Sequence, residues 1–187
     1  MGVGKPGKSL DEDARPIVSG ETWRKLAFKC TLSSDRAGVT EHLKPNQLSV
    51  GVASGVETII HSSRKCGQDH TKDPDAVFLE RDCENAFNGT DPSEFLQDCA
   101  EHMPNSARFA EWCYGTKVNV VYRGKVESSC RGQQGCPAMG PMFCLMRKCM
   151  ATRTHSEMDN SPSFETEFEE DSHIGGNANA VLQCFRT

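Results

Sequence analysis

Apolar positions along this chain recur with two periods, and the switches between them mark out its elements. Trp23, Leu26, Ala27 and Cys30 fall on one face of a helix, with Arg24, Lys25 and Lys29 off it, so a helix with a solvated basic side is expected there. A polar link from Ser33 to Pro45 follows. Val52, Val56, Ile59 and Ile60 then repeat at helical spacing, from Ser54 or Gly55 to Arg64-Lys65, whose charges suit the negative end of the helix dipole. Val118, Val120 and Tyr122 occupy alternate positions up to Arg123-Gly124, and Val126 resumes beyond it, which predicts a hairpin. Met139, Met142, Phe143, Met146, Cys149 and Met150 form one helical stripe, as core side chains do.

Between these lies the stretch AVFLERDCENAFNGTD. A short apolar run, Ala76 to Leu79, predicts a central strand that ends at Asp82, and Phe87 follows after a turn. An acid at the rigid, exposed end of a strand can hold a hard cation, although acids in such places more often form turns or cap helices. Asp91-Pro92-Ser93-Glu94 has the form of a capping box with Pro at the first helical position, predicting a helix from about Pro92 to His102 with Phe95, Leu96 and Cys99 inward. Pro104 breaks it, and Phe109, Trp112 and Cys113 mark a second short helix that Gly115 closes. Residues 151–163 are polar and read as a mobile link, Phe164 to Asp171 is acidic, Gly175-Gly176 reads as a turn, and Ala178 to Phe185 as a last helix. Residues 1–13 have no apolar period and are expected to be loose, and Arg15-Pro16-Ile17-Val18 to be extended.

Composition narrows the field. The 187 residues, 36% hydrophobic and 25% charged, can bury one core or one domain and part of another. No apolar run approaches a membrane span. Ten cysteines would suit a disulfide framework, but the first residues lack the apolar stretch of a signal peptide, so reduced thiols and an intracellular location, nuclear or cytoplasmic, are expected. Cys130, Cys136, Cys144 and Cys149 fit no zinc spacing and read as small core residues. The net charge of −5 argues against a freestanding nucleic-acid binder, yet the charge is graded. Lys5, Lys8, Arg15, Arg24, Lys25 and Lys29 dominate the start, and Glu157, Asp159, Glu165, Glu167, Glu169, Glu170 and Asp171 the end.

An acid after a strand, a Gln-Gly loop opening a helix and an acidic cluster before Gly-Gly stand in that order. Together with RPIVSGETWRKLAFKC and QLSVGVASGVETIIHSSR, the segments VFLERDCENAFN, RGQQGCPAMGPMF and FEEDSHIGG resemble the reverse transcriptase domain of non-LTR retrotransposons, from about Asp11 to Phe185. The resemblance implies an α+β fold, the palm of a right-hand polymerase with an antiparallel sheet backed by the helices near Pro92 to His102 and Ala138 to Met150. Residues 1–75 would be partial fingers and 76–187 the palm, with 151–163 as its mobile link and no thumb.

It also implies template-directed transfer of dNTPs to the 3′-hydroxyl of a DNA primer on an RNA template, by an RNA-directed DNA polymerase using two Mg2+ ions, or Mn2+, and no small-molecule cofactor. Asp82, Glu170 and Asp171 would be the catalytic metal ligands. Phe87 would be the steric gate under the deoxyribose, Gln134 and Gly135 would contact the incoming nucleotide, and Arg15 would reach its phosphates. The pattern is altered in places. Glu170 stands where the family has its first aspartate of a pair, Glu169 where an apolar strand residue is expected, and Arg81 and Cys83 flank Asp82 in place of larger apolar side chains. Three readings fit these residues: an impaired polymerase, a decayed, non-catalytic palm that binds nucleic acid weakly, or an unrelated metal-dependent binding domain built on the acidic tail.

Overall fold

The computed structural model describes residues 2–4, 14–16, 21–122, 125–129, 131–158 and 160–186. In chain order the elements are β1 (Gly2–Gly4), β2 (Ala14–Pro16), α1 (Thr22–Leu43), α2 (Gly55–Asp69), β3 (Ala76–Arg81), α3 (Ala86–Gly89), α4 (Pro92–His102) and α5 (Pro104–Tyr114). They continue with β4 (Val118–Tyr122), β5 (Lys125–Ser129), α6 (Met139–Ser156), β6 (Phe164–Phe168), β7 (Asp171–Asn177) and α7 (Ala178–Arg186). The strands form a three-stranded antiparallel sheet, ordered β3-β7-β6, and two separate two-stranded ladders, β1-β2 and β4-β5. The class is α+β. The strand expected at the centre, β3, is an edge, and β7 is the middle strand.

The main core is helical. Phe28, Val39 and Leu43 of α1 meet Phe95 and Cys99 of α4, Ala110, Cys113 and Tyr114 of α5, and the run from Met139 to Met146 of α6. α4 has the expected bounds because Asp91 accepts from the Ser93 N–H at 2.9 Å and Pro92 fills the first turn, where a missing N–H costs nothing. The stripe on α6 is buried at Met139, Met142, Phe143 and Met146, but Met150 is exposed. Burial pushes the Cys99 and Cys144 thiols up to about 12, as for inert core cysteines.

α1 departs from the expected pattern in length and in face. It runs through the predicted polar link to Leu43 and turns Phe28, Leu32, Asp35, Val39 and Leu43 inward, while Trp23 stands 78% exposed and Leu26 48%. The reason is Asp35. Its buried carboxylate accepts from the Asn105 N–H at 3.1 Å, the Asn105 side chain at 2.7 Å and the Ser106 hydroxyl at 2.6 Å, and so caps α5, which has no cap of its own. The helix stops just before Lys44-Pro45, as the geometry of a residue preceding proline favours. Arg24 is not on a free basic side; its guanidinium lies 5.1 Å from the centre of the Tyr114 ring. On α5, Trp112 is likewise 73% exposed rather than buried.

Near the C-terminal end, α6 continues to Ser156, which removes half of the expected link. Gly175-Gly176 is strand, not turn. At Gly175 a Cβ would come within 2.7 Å of the Cys66 sulfur on α2, and Gly176, at φ +137, backs onto Ser163. These glycines let α2 sit close on the sheet. Ile174, the next residue along, faces the other way into a second small core with Val181 and Cys184 of α7. The sheet is thus sandwiched by α2 and α7. α6 reaches it through Arg147, whose guanidinium donates to Glu167 at 2.8 Å and to Ser172 at 3.0 Å, whereas α4 packs on α5 and α6.

Candidate functional site

β3 and β7 run antiparallel with Arg81 opposite Ser172 as the last registered pair, so Asp82 and Asp171 are the next residues toward the same end of the sheet. Both Arg81 and Arg147 donate to the Ser172 hydroxyl, at 3.1 and 3.0 Å. Arg81 therefore ties the two strands together just below the acids.

β6 and β7 are joined by the two-residue turn Glu169-Glu170, with Phe168 opposite Asp171. Such a turn needs positive φ, and Glu169 adopts φ 52 at a cost of roughly 1–2 kcal/mol for a residue with a side chain. The buried Gln47 offsets it. Its Oε1 accepts from the Glu169 N–H at 3.0 Å and its Nε2 donates to the Glu169 carbonyl at 3.4 Å. The flanking backbone pairs too: Leu48 N–H donates to Glu167 O at 2.9 Å and Glu167 N–H to Asn46 O at 2.8 Å. Glu169 is thus a turn residue rather than a strand residue, and Glu170 is presented at the tip.

Phe87 comes from the single turn α3, entered through Asn85 at φ 54, a conformation that asparagine tolerates. Its ring stands edge-on to Phe143 of α6, with centroids 5.3 Å apart. The glycine-rich loop is clamped onto this turn: Arg131 donates to Gly89 O at 2.7 Å and Gly132 N–H to Thr90 O at 3.4 Å. At Gly132 a Cβ would overlap the Phe87 carbonyl oxygen and approach the Met139 sulfur within 2.8 Å. Only glycine lets the two segments close, and that closure sets Gln134 beside Phe87.

The outcome is one cleft of about 200 Å³ lined by Asp82, Cys83, Asn85, Ala86, Phe87, Asn88, Gln134, Glu170 and Asp171. Asp82 and Asp171 are exposed, and Phe87, Gln134 and Glu170 half-buried. Gly135, at φ 106, is exposed next to Gln134 but does not line the cleft. Arg15 lies on β2, opposite Val3; its side chain is outside the described residues.

Three carboxylates line the cleft and, among the described residues, no basic side chain does. The field they make is felt by Glu169, whose carboxyl is raised above the usual range first by burial and then by repulsion from Glu170 and Asp171. All-oxygen donors suit magnesium or manganese, so the residues fit such an ion by type. The acids line the cleft without closing to one coordination sphere. Among the described residues, the set whose ligand atoms all lie within 4.8 Å of one another is elsewhere, at His155, Glu165 and Cys184. Gln47, Gly132 and Ser172, which position the cleft, were not singled out from sequence. Only their three-dimensional neighbours reveal them.

No protein-family model matches the chain, and no curated protein does. Solved structures do resemble it. Apo telomerase from Candida tropicalis, truncated from its C-terminal domain, superposes with a TM-score of 0.58 at 11% identity over 88% of this chain. Telomerase from Candida albicans, in complex with a TWJ fragment of telomeric RNA, gives 0.59 at 12% identity over 88%. The chain spans 38% and 32% of those two chains. At such identity the likeness is one of fold: the chain is similar in fold to part of those two telomerase structures.

Proposed function

We propose that the chain is a reverse transcriptase domain of the kind encoded by non-LTR retrotransposons, with Asp82, Glu170 and Asp171 as its catalytic carboxylates. The observation that supports it most is the shared cleft: an acid from just beyond β3, two acids from the distant β6–β7 hairpin, the Phe87 ring and the Gln134 amide all line one small polar space. The polymerase-like fold agrees, and the RNA fragment held by one structural neighbour favours an RNA partner.

In this reading Asp82, Glu170 and Asp171 hold magnesium or manganese, which supplies polarisation of the primer 3′-hydroxyl and stabilisation of the leaving pyrophosphate. The chain's own residues do the positioning. Phe87 packs beneath the deoxyribose of a dNTP and excludes a 2′-hydroxyl, and the edge contact with Phe143 keeps the ring in place. Gln134 donates to the nucleotide, and the neighbouring Gly135 permits close backbone approach. Arg15 binds the phosphates. Glu170 reaches the cleft with one methylene more than an aspartate, and the Gln47 bonds to the turn behind it fix where that longer side chain starts.

The test is extension of a DNA primer on an RNA template by the purified chain with Mg2+ or Mn2+. The expected result is metal-dependent extension with dNTPs that Asp82→Asn abolishes, and incorporation of ribonucleotides by Phe87→Ala. Nucleic-acid binding with no extension, or extension that Asp82→Asn leaves intact, would overturn the proposal.

A further inference from the structure

Away from the cleft, on the sheet face covered by α6 and α7, three side chains of different chemistry meet. His155 comes from the last turn of α6, Glu165 from β6 and Cys184 from α7, and one ligand atom of each lies within 4.8 Å of the others. Cys184 is 8% exposed. The His155 Nε2 is 3.1 Å from the Glu165 carboxylate, yet it is buried with no hydrogen-bond partner among the described residues. The ring and the carboxylate are close without being aimed at each other, as two ligands of one ion are. Asn46 donates to the same Glu165 oxygen at 3.2 Å, the kind of outer contact that orients a ligating carboxylate.

We propose that His155, Glu165 and Cys184 form a zinc site that pins α6 and α7 to the sheet. The donor set decides the metal: thiolate and imidazole select a borderline-soft ion, while magnesium and calcium prefer oxygen alone. Zinc takes such ligands at about 2.0–2.3 Å, which puts ligand atoms roughly 3.4 Å apart in a tetrahedron. The His155–Glu165 pair is already at 3.1 Å, so only Cys184 has to draw in. Charge also balances. The Cys184 thiolate and the Glu165 carboxylate neutralise the divalent ion, and the nearby Arg147 is occupied by Glu167 at 2.8 Å. Binding releases the Cys184 proton, and water takes the fourth position. The site does not depend on what the acidic cleft does.

The probe is Co2+ added to the metal-free full chain, followed by the thiolate-to-cobalt charge-transfer band. One equivalent should produce the band and the visible bands of a tetrahedral ion; Zn2+ should erase both, and excess Mg2+ should not. Cys184→Ser should lose the charge-transfer band, whereas Cys30→Ser, at an exposed thiol, keeps it. Asn46→Ala should weaken Zn2+ binding by about 10–100-fold. Zn2+ should raise the Tm of the wild type and of Cys30→Ser but not of Cys184→Ser, a comparison each protein makes with its own metal-free form. A band that survives in Cys184→Ser, no band at one equivalent, or an equal Zn2+-induced rise in Tm in Cys184→Ser would each overturn the assignment.

Discussion

The sheet treats its two groups of acids in opposite ways. Glu165 and Glu167, on β6, have buried side chains with donors inside the protein: Asn46 for one, Arg147 for the other. Asp82, Glu170 and Asp171, at the end of the same sheet, line a cleft with no basic side chain among the described residues. A buried carboxylate without a partner would cost several kcal/mol, so the first group must be answered from within the protein. The second group sits at an open edge where the answer can come from outside. The contrast separates acids that hold the fold, Glu165 through the zinc site proposed for it, from acids kept for a catalytic cation and a substrate.

The sharpest way to break that contrast is to change Glu170. Glu170→Gln should lower primer extension by on the order of 10²–10³-fold, the cost of deleting one electrostatic contact from a pre-organised site. Glu170→Asp moves the carboxylate by about 1 Å and should raise extension by up to roughly 10²-fold, since misplacement of that size costs about as much. Single-turnover extension rates measure both, and neither change should move the Tm much.

The acids of the fold should answer differently. Arg147→Ala leaves Glu167 charged and buried, and should destabilise the protein by about 3–5 kcal/mol in denaturant melts, with Arg147→Met/Glu167→Leu recovering most of it. If the single variant melts like the wild type, Glu167 is not a structural acid and the contrast fails. Gly132→Ala should cost about 1–3 kcal/mol because the loop must retreat from Phe87 and Met139. It should also relax discrimination against ribonucleotides, which a purely global loss of stability would not do.

Glu169 joins the two groups, half-buried behind the turn and pushed up by burial and by Glu170 and Asp171. A carboxyl held more tightly protonated in the folded state favours folding most fully below its unfolded value, near about 4.3, and loses that contribution as pH rises through the folded value. Glu169→Gln should therefore raise the Tm at neutral pH, with the gain vanishing under acid conditions. A gain that is the same at every pH would show that repulsion in the cleft is not its source.

Much of this was legible in the chain because it is local. The cap at Asp91 with Pro92 gives α4 its bounds, and the repeat from Val56 to Ile60 gives α2. Asp82, Phe87, Gln134, Glu170 and Asp171, five of the residues lining the cleft, are those that the resemblance to reverse transcriptases singles out. What could not be read is made by distant partners. α1 buries Asp35, which no hydrophobic count would place inward, because α5 needs a cap. Gly175 is a glycine within β7 because the Cys66 sulfur leaves no room for a Cβ, and Gln47 matters because the turn at Glu169 is strained. His155, Glu165 and Cys184 show no metal-binding spacing, since three separate elements bring them together.

Manganese binding tests the central claim most directly. Mn2+ titrated into the full chain, with the free ion followed by its paramagnetic resonance signal, should show binding that Asp82→Asn largely removes and Glu165→Gln retains. Matching titrations of Asp82→Asn and the wild type would contradict the account.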